Sequence, residues 1–144
     1  MSKYDALKLE NQLCFPLYAA SRQVIRQYRP FLDELGLTYT QYIVLLVLWE
    51  DRRVSVKQLG KKLFLDSGTL TPVLKSLESK GFIKRCRSSE DERVLIAEVT
   101  PKGEKLREKT LSVPADVYKS VRLEDNEAKT LYALLYKVLS GYDE

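Results

Sequence analysis

Cys14 and Tyr18 lie four residues apart in the segment ENQLCFPLY, near the start of a 144-residue chain that contains no histidine. A cysteine thiolate reacts with peroxides, and a phenol one helical turn away lies on the same helix face. A single cysteine on an apolar helix face is more often a structural core residue. Without histidine, Ser-His catalysis, Cys-His catalysis and histidine metal ligation are all unavailable. Redox chemistry at Cys14 is therefore the main reactive possibility in this sequence.

Cys86 is the only other cysteine, and it is flanked by Arg85 and Arg87. Two distant cysteines in no metal-ligand spacing predict neither a disulfide scaffold nor a zinc site, and no cofactor is expected. The N-terminal segment MSKYDALKLENQ has no apolar signal region, and no later apolar run is long enough to span a bilayer. We therefore expect a soluble protein of the reducing cytoplasm that has no membrane partner.

The basic charge of the chain is local. The net charge is +4, but residues 52–93 hold 11 Lys and Arg against 5 Asp and Glu, whereas the remainder holds 13 against 15. A concentrated basic region is typical of a nucleic-acid interface, and an ordinary solvated basic face is the alternative.

The elements that position these residues are predicted to be mostly helical. Apolar residues recur at three- and four-residue steps over about 7–35, which predicts a long amphipathic helix. Pro16 cannot donate a helical hydrogen bond, so a kink or a restart is expected beside Cys14. Gly36 ends this helix, and Thr38 or Thr40 begins the next, which is apolar nearly all round.

Two short helices, a hairpin and two further helices complete the prediction. Ser55 and Asp66 are expected as caps, with Gly81 ending the second short helix. Two strand-like runs then surround the turn SEDE. Thr100-Pro101 begins a helix over 102–121 that Pro114 bends, and a last helix covers about 125–139. This order is that of a winged helix-turn-helix in one domain, mainly α with a small β-hairpin wing.

Three segments together resemble the MarR family: LDSGTLTPVLKSLESKGFIKR, RSSEDERVLIAEVTPKGEKL and ENQLCFPLYAASRQVIRQY. They are most similar to its organic-hydroperoxide-sensing repressors. The resemblance implies a transcriptional repressor, not an enzyme, that binds an inverted-repeat operator in double-stranded DNA as a homodimer. It also implies a single domain over 1–144, with dimerisation helices at about 7–35 and 101–140 and a winged helix-turn-helix at about 39–99.

The resemblance also implies DNA-binding residues. Asp91 would orient Arg93 into a minor groove, although an exposed ion pair at a hairpin tip is the alternative. Ser67 and Thr69 could equally be helix caps. The remaining candidates lie on the second short helix and on the wing, where they would contact phosphates and base edges. The full set is Ser67, Thr69, Thr71, Lys75, Arg85, Arg87, Asp91 and Arg93.

In the peroxide-sensing members, tyrosines of the other subunit donate hydrogen bonds to the reactive cysteine, and their counterparts here are Tyr28 and Tyr39. Hydrogen bonds to a thiolate favour the charged, reactive form. Apolar neighbours, expected to be Leu13, Phe15, Leu17 and Trp49, would favour an organic hydroperoxide, although each alone could be dimer core. Oxidised Cys14 would then condense with a low-molecular-weight thiol, and the operator would be released.

Two other functions fit the same sequence. A MarR-type regulator could respond to a small aromatic ligand, with Cys14 structural. A thiol-dependent peroxidase could use Cys14 catalytically, but the sequence has no histidine base, no well-placed resolving cysteine and no thioredoxin-like βαβ order.

Overall fold

The computed structural model describes residues 2–142, so residues 1, 143 and 144 of the predicted domain lie outside the described part. These residues form seven α-helices, three strands and two short 3-10 turns. The turns cover Asp5–Leu7 and Leu9–Asn11, and the other elements in chain order are α1 (Cys14–Glu34), α2 (Tyr39–Asp51), β1 (Arg53–Ser55), α3 (Val56–Leu63), α4 (Ser67–Ser79), β2 (Ile83–Arg87), β3 (Leu95–Val99), α5 (Pro101–Lys109), α6 (Val113–Tyr118) and α7 (Asp125–Ser140).

Helix α1 begins at Cys14, so the break expected beside this residue is present as a helix start, and the α-helical prediction for residues 7–13 is wrong. Pro16 occupies the first turn, where backbone N–H groups have no intrahelical acceptor and proline costs little. The preceding chain forms 3-10 turns stabilised by side-chain amides. Asn11 Nδ2 donates to the Asp5 carbonyl, and Gln12 Nε2 donates to the carbonyls of Ala6 and Lys8.

Helix α2 is the centre of the core, as its apolar sequence predicts. Thr38 caps it through a reciprocal pair of hydrogen bonds with Gln41. Trp49 is buried near its C-terminal end and donates from Nε1 to the Gly103 carbonyl of α5, at 3.0 Å. The predicted place of Trp49 beside Cys14 is therefore wrong, because this side chain packs within the core instead.

The strands form one antiparallel sheet in the order β1-β3-β2. The hairpin β2–β3 was predicted, and its register pairs Ile83 with Val99 and Arg87 with Leu95. Strand β1 was not predicted, because three residues carry no alternating pattern, and its backbone pairs with the distant β3. The fold class, mainly α with a small β wing, is confirmed.

The predicted helix over 102–121 is divided into α5 and α6, with the break at 110–112. Pro114 lies in the first turn of α6 and starts a helix there, whereas the prediction had it bending one. The last helix is confirmed as α7, and it contains no buried residue. Among residues 2–142, no single helix is long and apolar enough to cross a membrane, and α1 with α2 meets that criterion only as a pair bent by 76°.

Candidate nucleic-acid interface and redox site

Helix α4 presents short hydroxyl side chains on its first turns. Asp66 caps it by accepting a hydrogen bond from the Thr69 N–H at 2.7 Å, and this bond holds the pKa of Asp66 below its usual value. The side chains of Ser67, Thr69 and Lys75 are exposed. Thr71 is half-buried, and its hydroxyl donates to the Ser67 carbonyl at 2.7 Å. The N-terminal half of α4 is therefore open to a partner on one face.

The wing holds Arg93 in a fixed orientation. Its Nε and Nη2 donate to the two carboxylate oxygens of Asp91, each at 3.1 Å, and its backbone N–H donates to the same carboxylate. These bonds hold the pKa of Asp91 below its usual value. The Arg93 side chain is nevertheless 90% exposed. Asp91 therefore orients a guanidinium that still faces outward, a geometry shared by the minor-groove role that the resemblance implies and by an exposed ion pair at a hairpin tip.

A groove of about 1180 Å³ lies between the α3–α4 pair and the wing. It brings together three predicted residues, Ser67, Thr71 and Arg93, and adds Lys57 and Lys61 of α3. Sequence reasoning missed these two lysines, although their four-residue spacing in the basic segment was a usable signal. Thr69 and Lys75 of α4 and Arg87 at the end of β2 are exposed outside the lining of this groove.

The prediction that Arg85 contacts a phosphate is wrong. Its Nη2 donates to Glu78 Oε1 at 3.0 Å, its backbone N–H donates to Glu78 Oε2, and its side chain is only 19% exposed. The two hydrogen bonds from Arg85 lower the pKa of Glu78. This ion pair joins the start of the wing to the end of α4. The Arg85 guanidinium is therefore bound to Glu78 within the chain and does not face a phosphate.

Cys14 is exposed at the first position of α1. Leu13, which precedes it, is 85% exposed, and Phe15 and Leu17 are also exposed. The ring of Tyr18 lies under the Arg22 guanidinium, 5.4 Å from its carbon, and no hydrogen bond joins Tyr18 to Cys14 within residues 2–142. The structure therefore places Cys14 at the surface beside exposed apolar side chains.

Tyr28 and Tyr39 meet at the opposite end of α1. Their ring centroids are 4.9 Å apart in an edge-to-face arrangement, and Tyr42 lies 5.7 Å from Tyr28. Burial raises the pKa of Tyr28 and of Tyr39, so both phenols stay protonated hydrogen-bond donors. Fourteen residues of helix separate Cys14 from Tyr28, a distance of about 21 Å at 1.5 Å per residue. Within one chain, these phenols cannot reach the thiol.

Cys86 is exposed on β2, where its backbone is paired with that of Ile96. In the described part of the chain, no three His, Cys, Asp or Glu side chains are placed to hold a metal ion.

Residues 26–110 match the family described as transcriptional regulator SarA/Rot. The organic hydroperoxide resistance transcriptional regulator of Bacillus subtilis is 47% identical over 138 residues, which cover 96% of this chain and 94% of that protein. AbfR bound to DNA in its reduced form is 37% identical with a TM-score of 0.79, covering 99% of this chain and all of that one, and its overoxidized form has also been solved bound to DNA, with a TM-score of 0.77. A mutant MarR from E. coli, complexed with operator DNA, is 25% identical with a TM-score of 0.82 over 96% of this chain and 99% of that one. The chain thus belongs to the SarA/Rot family of MarR-like winged-helix transcriptional regulators, a family of regulators and not of enzymes.

Proposed function

We propose that this chain is a DNA-binding repressor that senses organic hydroperoxides through Cys14. The observation that carries the DNA-binding half is the groove in which α3, the first turns of α4 and the outward-facing Arg93 converge. Hydroxyls and lysines suit phosphate oxygens, and a guanidinium held by Asp91 suits a narrow, electronegative minor groove. The AbfR and MarR complexes with DNA support the same role for this fold.

The repressor acts as a homodimer on an inverted-repeat operator. Helix α7 buries none of its residues within the chain, and it exposes Leu134 and Val138. The first turn of α1 exposes Leu13 and Phe15. A soluble protein rarely leaves apolar patches of this kind uncovered, so a second copy packed against α1 and α7 accounts for them.

The same association completes the redox site. Cys14 lies at one end of α1 and the Tyr28–Tyr39 pair at the other, so antiparallel packing of two α1 helices brings the thiol of one subunit to Tyr28 and Tyr39 of the partner subunit. Two protonated phenols that donate to the sulfur favour the thiolate, and the first turn of α1 adds the positive end of the helix dipole. The B. subtilis relative, named for organic hydroperoxide resistance, supports this chemistry.

In the proposed reaction, the Cys14 thiolate attacks the terminal oxygen of an alkyl hydroperoxide. An S–O bond forms, the O–O bond breaks, and the departing alkoxide takes a proton and leaves as an alcohol, so sulfur is oxidised and the peroxide is reduced. The sulfenic acid condenses with a low-molecular-weight thiol to give a mixed disulfide and water. The larger sulfur adduct displaces the two phenols, which alters the spacing between the two α4 helices, the recognition helices of the dimer, and the DNA is released.

The test is DNA binding by the wild type, Cys14→Ser and the matched control Cys86→Ser. The probe is a duplex selected from random sequence by the reduced wild type. Each protein receives one equivalent of cumene hydroperoxide per subunit with glutathione present, because overoxidized AbfR has been solved bound to DNA and excess peroxide would confuse the result. We expect the wild type and Cys86→Ser to release the duplex and Cys14→Ser to stay bound.

Release by Cys14→Ser would refute the role of Cys14. If no protein releases the duplex, the redox half of the proposal fails and an aromatic ligand becomes the leading effector.

A further inference from the structure

A buried polar network lies where the α1–α2 connection packs against the far end of α4. Gln41 is 5% exposed, and its side chain uses both ends. Its Oε1 accepts from the Thr38 N–H at 3.1 Å and from Lys80 Nζ at 3.0 Å, and its Nε2 donates to Ser76 Oγ at 2.9 Å. Lys80 Nζ also donates to the Gly36 carbonyl. One buried amide therefore joins the start of α2 to two residues at the end of α4.

The first turn of α2 faces the tyrosines on one side and this network on the other. Tyr39 packs against Tyr28, whereas Gln41, two residues later, contacts Ser76 and Lys80. A helical turn closed by a capping box is a stiff unit, because its backbone and side-chain hydrogen bonds are reciprocal. A displacement of Tyr39 is therefore carried to Gln41 and is not absorbed between them.

The network contacts α4 far from the end of this helix that faces the groove, so a small tilt at the network produces a larger displacement at that end. Ser76 lies near the C-terminal end of this 13-residue helix, whereas Ser67 and Thr69 lie at its exposed N-terminal end. At 1.5 Å per residue the nine residues from Ser76 back to Ser67 span about 13.5 Å, so a tilt of about 5° at Ser76 moves the N-terminal end by about 1.2 Å. Hydrogen bonds to phosphates and base edges do not survive a shift of that size.

We propose that Gln41 is a positioning residue that passes the displacement of Tyr39 to the recognition helix through Ser76. This inference rests on the proposed redox function, and it gives a route by which a change at Tyr39 reaches α4 through Gln41 and Ser76. Lys80 supports the amide by fixing the orientation of its oxygen. The unit that moves is the first turn of α2 together with the end of α4.

The test compares Ser76→Ala with Ser79→Ala, the same substitution three residues later on an exposed part of α4. Ser76→Ala removes the acceptor for Gln41 Nε2 and leaves the capping box, Lys80, Cys14 and the groove in place. The quantities measured are the rate of Cys14 oxidation by cumene hydroperoxide and the Kd for the selected duplex before and after oxidation. The ratio of the two Kd values is the coupling, and a merely structural role for Gln41 would not change it.

For Ser76→Ala we expect an unchanged oxidation rate, a reduced-state Kd within about twofold of wild type, and a Kd ratio lower by at least about threefold. Ser79→Ala is expected to match the wild type. If Ser76→Ala does not fold, Lys80→Gln breaks the network from a half-buried position and is expected to lower the same ratio. A wild-type ratio in the folded variants overturns the coupling alone, whereas a wild type that does not respond to peroxide overturns the proposed function as well.

Discussion

Removing the wing guanidinium is expected to change the salt dependence of DNA binding. Arg93 is held by two hydrogen bonds of 3.1 Å and remains 90% exposed, so its positive charge is displayed outward and fixed in direction. Each phosphate that a protein neutralises contributes about −0.9 to the slope of log K against log salt. A dimer carries two copies, so Arg93→Ala should reduce the slope by up to about 2.

Over a fourfold rise in salt, from about 50 to 200 mM, a slope smaller by about 1.8 means that the affinity of Arg93→Ala falls about tenfold less than that of the wild type. The wild type should therefore bind the selected duplex much better than Arg93→Ala at low salt, and this advantage should shrink about tenfold across that range. Fluorescence anisotropy titrations at four or five salt concentrations give both slopes.

Two matched variants separate charge from orientation. Lys105→Ala removes an exposed positive charge on α5, near the base of the wing, and is expected to keep the wild-type slope. Asp91→Glu keeps both charges but moves the carboxylate that orients Arg93, so affinity should fall while the slope is retained. Equal slopes of log K against log salt for the wild type and Arg93→Ala would refute the reasoning, because they would mean that Arg93 does not neutralise a phosphate.

Two further predictions concern the tyrosines. Tyr28→Phe should slow oxidation of Cys14 by cumene hydroperoxide. In a mixed dimer of a Cys14→Ser chain with a Tyr28→Phe chain, the one remaining thiol faces the intact Tyr28 of its partner, so it should be oxidised at the wild-type rate. Oxidation at the slow rate would mean that the thiol depends on the tyrosine of its own chain, and it would contradict a site shared between subunits. Burial, with the neighbouring phenols of Tyr28 and Tyr39, raises the pKa of Tyr42 to about 12, so the folded state keeps this proton and its stabilising effect is present below pH 10 and lost as the pH rises toward 12. Urea unfolding should therefore lose about 1.4 kcal/mol more in the wild type than in Tyr42→Phe between pH 8 and pH 11, and equal losses would contradict that pKa.

Most helix starts could be predicted because the chemistry that sets them is local. Ser55, Asp66 and Thr100 were expected as caps, and Thr38 was one of two candidates with Thr40. Each of these side chains, Thr38 included, accepts a hydrogen bond from the backbone N–H three residues later. A cap needs only a short polar side chain in extended backbone followed by helix formers, and both conditions are readable within four or five residues. The start of α1 at Cys14 follows from the same kind of local rule, applied to Pro16.

Features that depend on distant partners could not be predicted. Strand β1 forms because its backbone, at Val54, pairs with that of β3, more than forty residues later in the chain. Arg85 resembles a phosphate ligand in the sequence, and only the turn between α4 and β2 brings it to Glu78. Trp49 carries an apolar surface that suits either a core or a ligand wall, and the acceptor that places it in the core is a carbonyl on α5.

The candidate redox site is a stronger case of the same limit, because one subunit does not contain it. The sequence supplies the thiol, the phenols and, through the resemblance, the expectation that they meet, but α1 holds them about 21 Å apart. In the proposed dimer this sensor would have a direct physical link to DNA binding, since the helices that would bring Cys14 to the tyrosines would also set the distance between the two α4 helices. Tyr39 would belong to that proposed interface, and it lies on the first turn of α2, which is bonded to α4 through Gln41. In the proposed sensor the thiol needs no contact with DNA to control it, because its oxidation would change the packing on which operator spacing depends.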